Sequence, residues 1–149
     1  MERIRFAEYT DKEAWLALDP QLPEEEFDRK VRDRLGLVLP EGDRIIGILR
    51  WNLFWDQIPF CTLLYIREDR RGRGCGSGLM ARWEGEMAAL GFDMVMTSTQ
   101  SDETAQHFYR KLGYRDCGGF LTDIPGHEQP LELIFAKGLG REGEPERGL

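Results

Sequence analysis

Residues 60–66, FCTLLYI, are apolar at every position except Thr62 and the hydroxyl end of Tyr65. Such a run has no face to give to water, so it predicts a central strand covered on both sides rather than an alternating surface strand. Directly after it comes EDRRGRGCGSGLM, residues 68–80, with three arginines and four glycines ahead of Leu79 and Met80. From there Leu79, Trp83, Met87 and Leu90 recur at helical spacing and predict a helix over about 76–90, with Gly91 as its C-terminal cap. FDMVMT then reads as a second buried strand. A buried strand, a glycine-rich turn, a helix and another buried strand make a right-handed βαβ unit.

The flanking sequence adds more of the same material. Arg3 to Tyr9 alternates and reads as a first strand, and Thr10 or Asp11 can cap a short helix through Leu18. PEEEFDRKVRDRL opens a second helix with Pro23 and three glutamates at its positive end, a Phe27, Val31, Leu35 stripe, and Gly36 to stop it. Leu37–Leu39 is a short strand. DRIIGILRWNLFW is a long one with Ile45, Leu49, Trp51, Leu53 and Trp55 on one face, turning at DQIP into 60–66 as a hairpin. SDETAQHFYRKLGY predicts a helix capped by Ser101 or Asp102 and closed by Gly113, with Ala105, Phe108 and Leu112 on one side. YRDCGGF and LELIFAKGL close the chain as strands, and Gly118-Gly119 predicts a bulge or tight bend. The order predicts an α/β (α+β) fold, a mixed central sheet of about six or seven strands with helices on both faces. Its 149 residues fit one domain, 1–139, followed by the polar tail GREGEPERGL, 140–149, expected to be disordered.

Several classes of function are disfavoured at this point. No apolar run approaches the roughly 20 residues of a membrane span, and the N-terminus lacks a signal peptide's apolar stretch, so a cytoplasmic protein without membrane association is expected. Cys61, Cys75 and Cys117 are scattered and odd in number, with no CxxC and no Cys/His cluster, which argues against a disulfide framework or a metal site. Cys61 and Cys117 read as small buried hydrophobes, and Cys75 as packing at a helix start. A net charge of −7 disfavours nucleic acid as a partner. The exception is local: Arg67, Arg70, Arg71 and Arg73 fall within seven residues, a patch suited to a small anion.

The glycine-rich stretch has the chemistry for that anion. The first N–H groups of a helix lack intrahelical partners and sit at the positive end of its dipole. Glycines at 72, 74 and 76 remove the Cβ atoms that would hold a ligand off the backbone. A P-loop is excluded because the stretch has no lysine, and a GxGxxG fingerprint fails because it ends on Ser77 or Leu79 according to the starting glycine.

Arg71-x-x-Gly74-x-Gly76 does fit R/Q-x-x-G-x-G/A, and in this the chain resembles the GNAT superfamily of N-acetyltransferases. LLYIREDRRGRGCGSGLM is similar to that family's strand, pyrophosphate loop and helix, and DETAQHFYRKLGY to its later N-x-x-A-x-x-F-Y-x-K-x-G-F/Y segment, at matching separation. The resemblance is clear over about residues 60–120 and rests on element order before that. It implies acetyl-coenzyme A as cosubstrate, with the pyrophosphate on the loop formed by Arg71, Gly72, Arg73, Gly74, Cys75, Gly76 and Ser77. The pantetheine arm would lie along Leu64, Tyr65 and Ile66, and Ala105 and Phe108 would also face the coenzyme. It further implies direct attack by an amine in a ternary complex, an oxyanion held by a strand N–H, and Tyr109 as general acid; a tyrosine pKa near ~10 keeps the proton available.

The chain departs from the pattern at two points. Asp102 stands where the family often has Asn, and FCTLLYI lacks the carboxylate that many members use as general base. A water relay, Asp56, Glu68 or an amine arriving neutral could fill that role. The missing carboxylate also fits a coenzyme-A-binding sensor or interaction module without turnover, and a nucleotide-binding protein is a third reading. His107 and His127 read as surface residues, and Trp51 and Trp55 as core or hairpin packing. The acceptor amine and the oligomeric state, a homodimer being common among relatives, are not legible in the sequence.

Overall fold

The computed structural model describes residues 3–140. Of the tail expected to be disordered, 141–149 lies outside the described residues. The elements are β1 (Arg5–Phe6), α1 (Lys12–Leu18), α2 (Glu24–Arg32), β2 (Gly36–Glu41), β3 (Arg44–Phe54), β4 (Ile58–Ile66), α3 (Cys75–Ala89), β5 (Met94–Gln100), α4 (Ala105–Lys111), β6 (Arg115–Phe120) and β7 (Glu132–Gly138), with short 3-10 turns at Tyr9–Asp11 and Glu68–Arg70. The mixed α/β class is as expected. The residues group into two compact units: Met1–Asn52 with Cys61–Glu86, and Leu53–Phe60 with the chain from Met87 onward.

In the first unit the strands run in the order β1-β2-β3-β4. β2 and β3 are antiparallel with Val38 opposite Ile48 and Leu37 opposite Leu49, and the register shifts between Leu39 and Pro40. Proline has no N–H to give the ladder, so the slip falls where it costs least. Val38, Ile48, Phe27 and Trp15 are buried together, with the Trp15 and Phe27 rings 5.7 Å apart. Trp51 packs against Trp83 of α3 at 6.2 Å, which confirms it as a core residue.

The boundaries differ from the sequence expectation for physical reasons. β1 is only two residues long: Asp11 turns back to accept from Arg5 and from the Glu8 amide, which folds 9–11 into a 3-10 turn. α2 stops at Arg32, before the expected Gly36. Arg34 adopts φ 56°, and the Leu35 N–H reaches the Lys30 carbonyl at 2.8 Å while Arg34 N–H reaches Val31. This is a Schellman closure with arginine in the left-handed place usually given to glycine. Its guanidinium lies 3.8 Å from the Phe6 ring centroid. Leu35 therefore leaves the helical stripe.

β3 is buried on both faces from Ile45 to Leu49 and again at Trp51, then exposed from Asn52 on. The apolar face expected to reach Trp55 ends at Trp51. α3 matches expectation in length; Leu79, Trp83 and Met87 are buried, whereas Leu90 lies past the helix and is exposed. Gly91, at φ 95°, makes the closing turn.

In the second unit β5 pairs antiparallel with β7 along its whole length, from Met94 opposite Gly138 to Gln100 opposite Glu132. β5 alternates rather than being buried throughout, and its buried positions are Val95, Thr97 and Thr99. β7 also pairs antiparallel with β6, and the register shifts between Asp116 and Gly119, where the sequence predicted a bulge. A Cβ on Gly119 would lie 2.3 Å from the Glu132 carbonyl oxygen, so only glycine permits this approach. β6 is exposed along its length, and Cys117, expected to be buried, is exposed with it.

Candidate functional site

The glycine-rich loop is built in the first unit. After β4 ends at Ile66 the chain makes the Glu68–Arg70 turn and reaches Arg71 in an extended conformation (φ −75°, ψ 158°). Gly72 (φ 76°) and Gly74 (φ 83°) are both left-handed, and nothing lies within 4 Å of where a Cβ would stand on either. These glycines are required by conformation, and the space beside the backbone stays open. α3 starts at Cys75, and its ladder begins with Gly78 N–H donating to the Gly74 carbonyl at 2.9 Å. The amides of residues 75–77 precede that bond, at the positive end of a 15-residue helix. Cys75 itself is buried, as expected for a packing residue.

The three arginines divide into distinct roles. Arg70 grips Glu41 at the end of β2, with Nη2 to Oε1 at 2.8 Å and Nε to Oε1 at 3.0 Å, and also meets Asp69. The hydrogen bond from Arg70 holds the Glu41 carboxyl below its usual range despite an opposing desolvation effect. Arg70 thus anchors the loop. Arg71 folds back: its Nε donates to the Ile66 carbonyl at 2.9 Å and its guanidinium lies 5.3 Å from the Tyr65 ring centroid. Arg73 is exposed and makes no hydrogen bond or ion pair among the described residues.

β4 is less covered than its sequence suggested. Thr62 is exposed, and Leu63, Leu64, Tyr65 and Ile66 are only half-buried. An apolar strand expected to be covered on both faces is therefore partly open over the residues assigned to a pantetheine arm. Left-handed glycines, a positive helix end, an exposed arginine and a partly open apolar strand suit an anionic group that carries a mostly apolar arm.

The tyrosine belongs to the second unit. α4 begins at Ala105, later than the sequence suggested, because β5 runs on to Gln100 and Ser101 still donates to the Leu131 carbonyl at 2.8 Å. Thr104, not Ser101 or Asp102, takes the N-cap position, and Asp102 is exposed in the turn before it. Tyr109 is the buried residue of α4, 5% exposed, with its ring 5.2 Å from Phe108, 5.7 Å from Tyr114 and 5.9 Å from Phe135. Ala105 and Phe108 are half-buried. Gly113, at φ 93°, closes the helix as expected, with Tyr114 N–H returning to the Tyr109 carbonyl. His107 and His127 are exposed. Asp56 and Glu68, considered as bases, are both exposed, Asp56 in the hairpin turn and Glu68 in the turn after β4.

One charged cluster of the first unit was missed in the sequence. Lys30, 2% exposed, donates to the Trp51 carbonyl at 2.9 Å and to Asn52 Oδ1. Burial, aided by the nearby Arg50 charge, pushes its pKa down to about 8. Asp19 is buried too, accepting from Arg50 Nε at 2.8 Å and Trp15 Nε1 at 3.2 Å. The available signal was the i, i+3 placement of Lys30 after Phe27, on the inward side of α2.

Among the described residues no group of three or more His, Cys, Asp or Glu is arranged to hold a metal ion, and no helix is long and apolar enough to cross a membrane. The profile of the Acetyltransferase (GNAT) family matches residues 1–114. Among curated proteins, no sequence matches significantly. Solved structures do match. An N-acetyltransferase from Staphylococcus aureus aligns at TM-score 0.79 and 19% identity over 93% of this chain and 98% of its own. A ribosomal-protein-alanine N-acetyltransferase from Brucella melitensis aligns at 0.78 and 19% over 93% and 100%. A GNAT-family acetyltransferase from Streptococcus pneumoniae aligns at 0.78 and 19% over 93% and 99%. At such identities the structures speak for the fold, and the profile, which covers most of the sequence, speaks for the lineage: this chain belongs to the GNAT family of N-acetyltransferases.

Proposed function

We propose that this protein transfers an acetyl group from acetyl-coenzyme A to an amine by direct attack in a ternary complex. The observation that carries the reading is the loop of Gly72 and Gly74, left-handed and open, leading into α3 beside the unpaired Arg73. The coenzyme supplies an acyl group activated as a thioester. The backbone of Gly72, Arg73, Gly74, Cys75, Gly76 and Ser77 would hold its pyrophosphate, with Arg71 fixing the strand end rather than reaching outward. Leu64, Tyr65 and Ile66 would receive the arm, and Ala105 and Phe108 would pack on it. Tyr109 would donate its hydroxyl proton to the departing sulfur. With no carboxylate in residues 60–66, the amine must arrive neutral or lose its proton through water.

Acetyl-coenzyme A should raise the melting temperature of the purified protein, and free thiol should be released in the presence of an accepted amine. A protein that neither binds nor is stabilised by acetyl-coenzyme A sinks the reading. The absent strand carboxylate and the deep burial of Tyr109 favour one alternative, a coenzyme-binding module without turnover. Binding without thiol release by any amine, unchanged by Tyr109→Phe, would select it.

A further inference from the structure

We propose that the tip of the β3–β4 hairpin is an anchor for a basic polypeptide, one rich in arginine or lysine. The tip turns through Trp55 and Asp56, whose φ values are 54° and 59°, and is closed by Gln57 N–H donating to the Phe54 carbonyl at 3.1 Å. Two consecutive left-handed residues are what a two-residue hairpin loop demands, and Asn-Gly is the usual way to meet that demand. A tryptophan in this conformation is an outlier. Its side chain gains little burial in exchange, since it is 74% exposed. It leans on Phe54 with centroids 4.6 Å apart, and Phe54 in turn meets Phe60 at 5.8 Å. Leu53 and Phe54 are themselves 44% and 38% exposed. A local rule broken without a structural return points to a binding role.

Shape and charge then select the occupant. Small-molecule sites are concave and bury most of their ligand. An exposed tip cannot do that, but an exposed tryptophan is a strong anchor when a larger partner covers it. Residues 53–60 contain no lysine or arginine, and their single charge is Asp56, adjacent to Trp55 in the turn. The face of an indole beside a carboxylate attracts a guanidinium or ammonium group by cation–π and Coulomb interaction together. The net charge of −7 draws in the same sign of partner.

The test uses an octapeptide of alternating alanine and arginine, free at its amino terminus and fluorescein-labelled at its carboxyl end, with a glutamate version as control. Fluorescence anisotropy should show the arginine peptide binding at least tenfold more tightly than the glutamate peptide, and less tightly in salt. Trp55→Ala should weaken it at least fivefold. Trp55→Gly should weaken it as much while raising the melting temperature, because glycine accepts the turn without strain; a merely structural tryptophan would not separate the two readouts in this way. Equal binding of the two peptides, or wild-type binding by Trp55→Gly, overturns the proposal.

Discussion

Arg70 holds Glu41 through two guanidinium nitrogens, whereas Arg73, three residues further on, has no hydrogen-bonding or ion-pairing partner among the described residues. One arginine is committed to the loop's own structure and the other is available to an anion. Arg73→Ala should therefore raise the KM for acetyl-coenzyme A by roughly 3- to 10-fold, the scale of one charge-assisted contact, and flatten its dependence on salt. Arg70→Ala should act more weakly on affinity. Titrating coenzyme A into both variants at low and high salt checks this; a larger effect at Arg70 would reverse the assignment.

Gly74 has φ 83° with open space around it, so an added methyl meets no neighbour and only the backbone conformation suffers. Gly74→Ala should cost about 1–2 kcal/mol of stability. Gly74→Asn should cost less, because asparagine tolerates the left-handed region, and Gly74→Val more. Urea unfolding of the three variants gives the order. Equal losses would mean that the conformation is not what selects glycine here.

The loop and α3 were legible because their signals are local: glycine at the left-handed positions, apolar residues at helical spacing, and Gly91 at the stop. What failed to show was decided by partners distant in sequence. Nothing in Arg34 announces a helix terminator, and its left-handed turn depends on Leu35 reaching back to Lys30, with the guanidinium on Phe6 of another strand. Period-2 alternation placed Trp55 on one face with Ile45, Leu49 and Trp51, but a face needs something to cover it, and β3 outruns its cover at Asn52. Nothing in the sequence sets Lys30 apart from the other charged residues of α2, because its two acceptors lie on β3, about twenty residues away along the chain.

Lys30 should leave a signature in the pH dependence of stability. Its folded pKa of about 8 lies below the ordinary 10.5 of the unfolded chain. Below pH 8 both states carry the proton, and the cost of burying the charge is present in full. Between about 8 and 10.5 the unfolded state holds the proton that the folded state has released, so this group's contribution makes stability rise with pH. The slope can approach ~1.4 kcal/mol per pH unit for a single proton. Lys30→Met lacks that proton. Its stability relative to wild type, from urea unfolding at pH 7, 9 and 10.5, should fall steadily across the series, and a constant difference would show that Lys30 does not titrate in this window.

Tyr109→Phe keeps the ring that packs on Phe108, Tyr114 and Phe135 and removes only the hydroxyl. Two roles for that hydroxyl predict different outcomes. A structural hydroxyl, buried as this one is, would lower the melting temperature and leave the rate per folded molecule alone. A proton donor to the departing sulfur would leave melting and coenzyme affinity nearly unchanged and lower kcat by about 10²-fold or more, the usual range for general acid catalysis. The proton also matters less when the leaving group is already a good one. Replacing the coenzyme with an acetyl thioester of a more acidic thiol should therefore recover part of the lost rate in the variant and change wild type little. Loss of kcat with that recovery assigns the proton to Tyr109, and loss of thermal stability without it returns the residue to the core of the second unit.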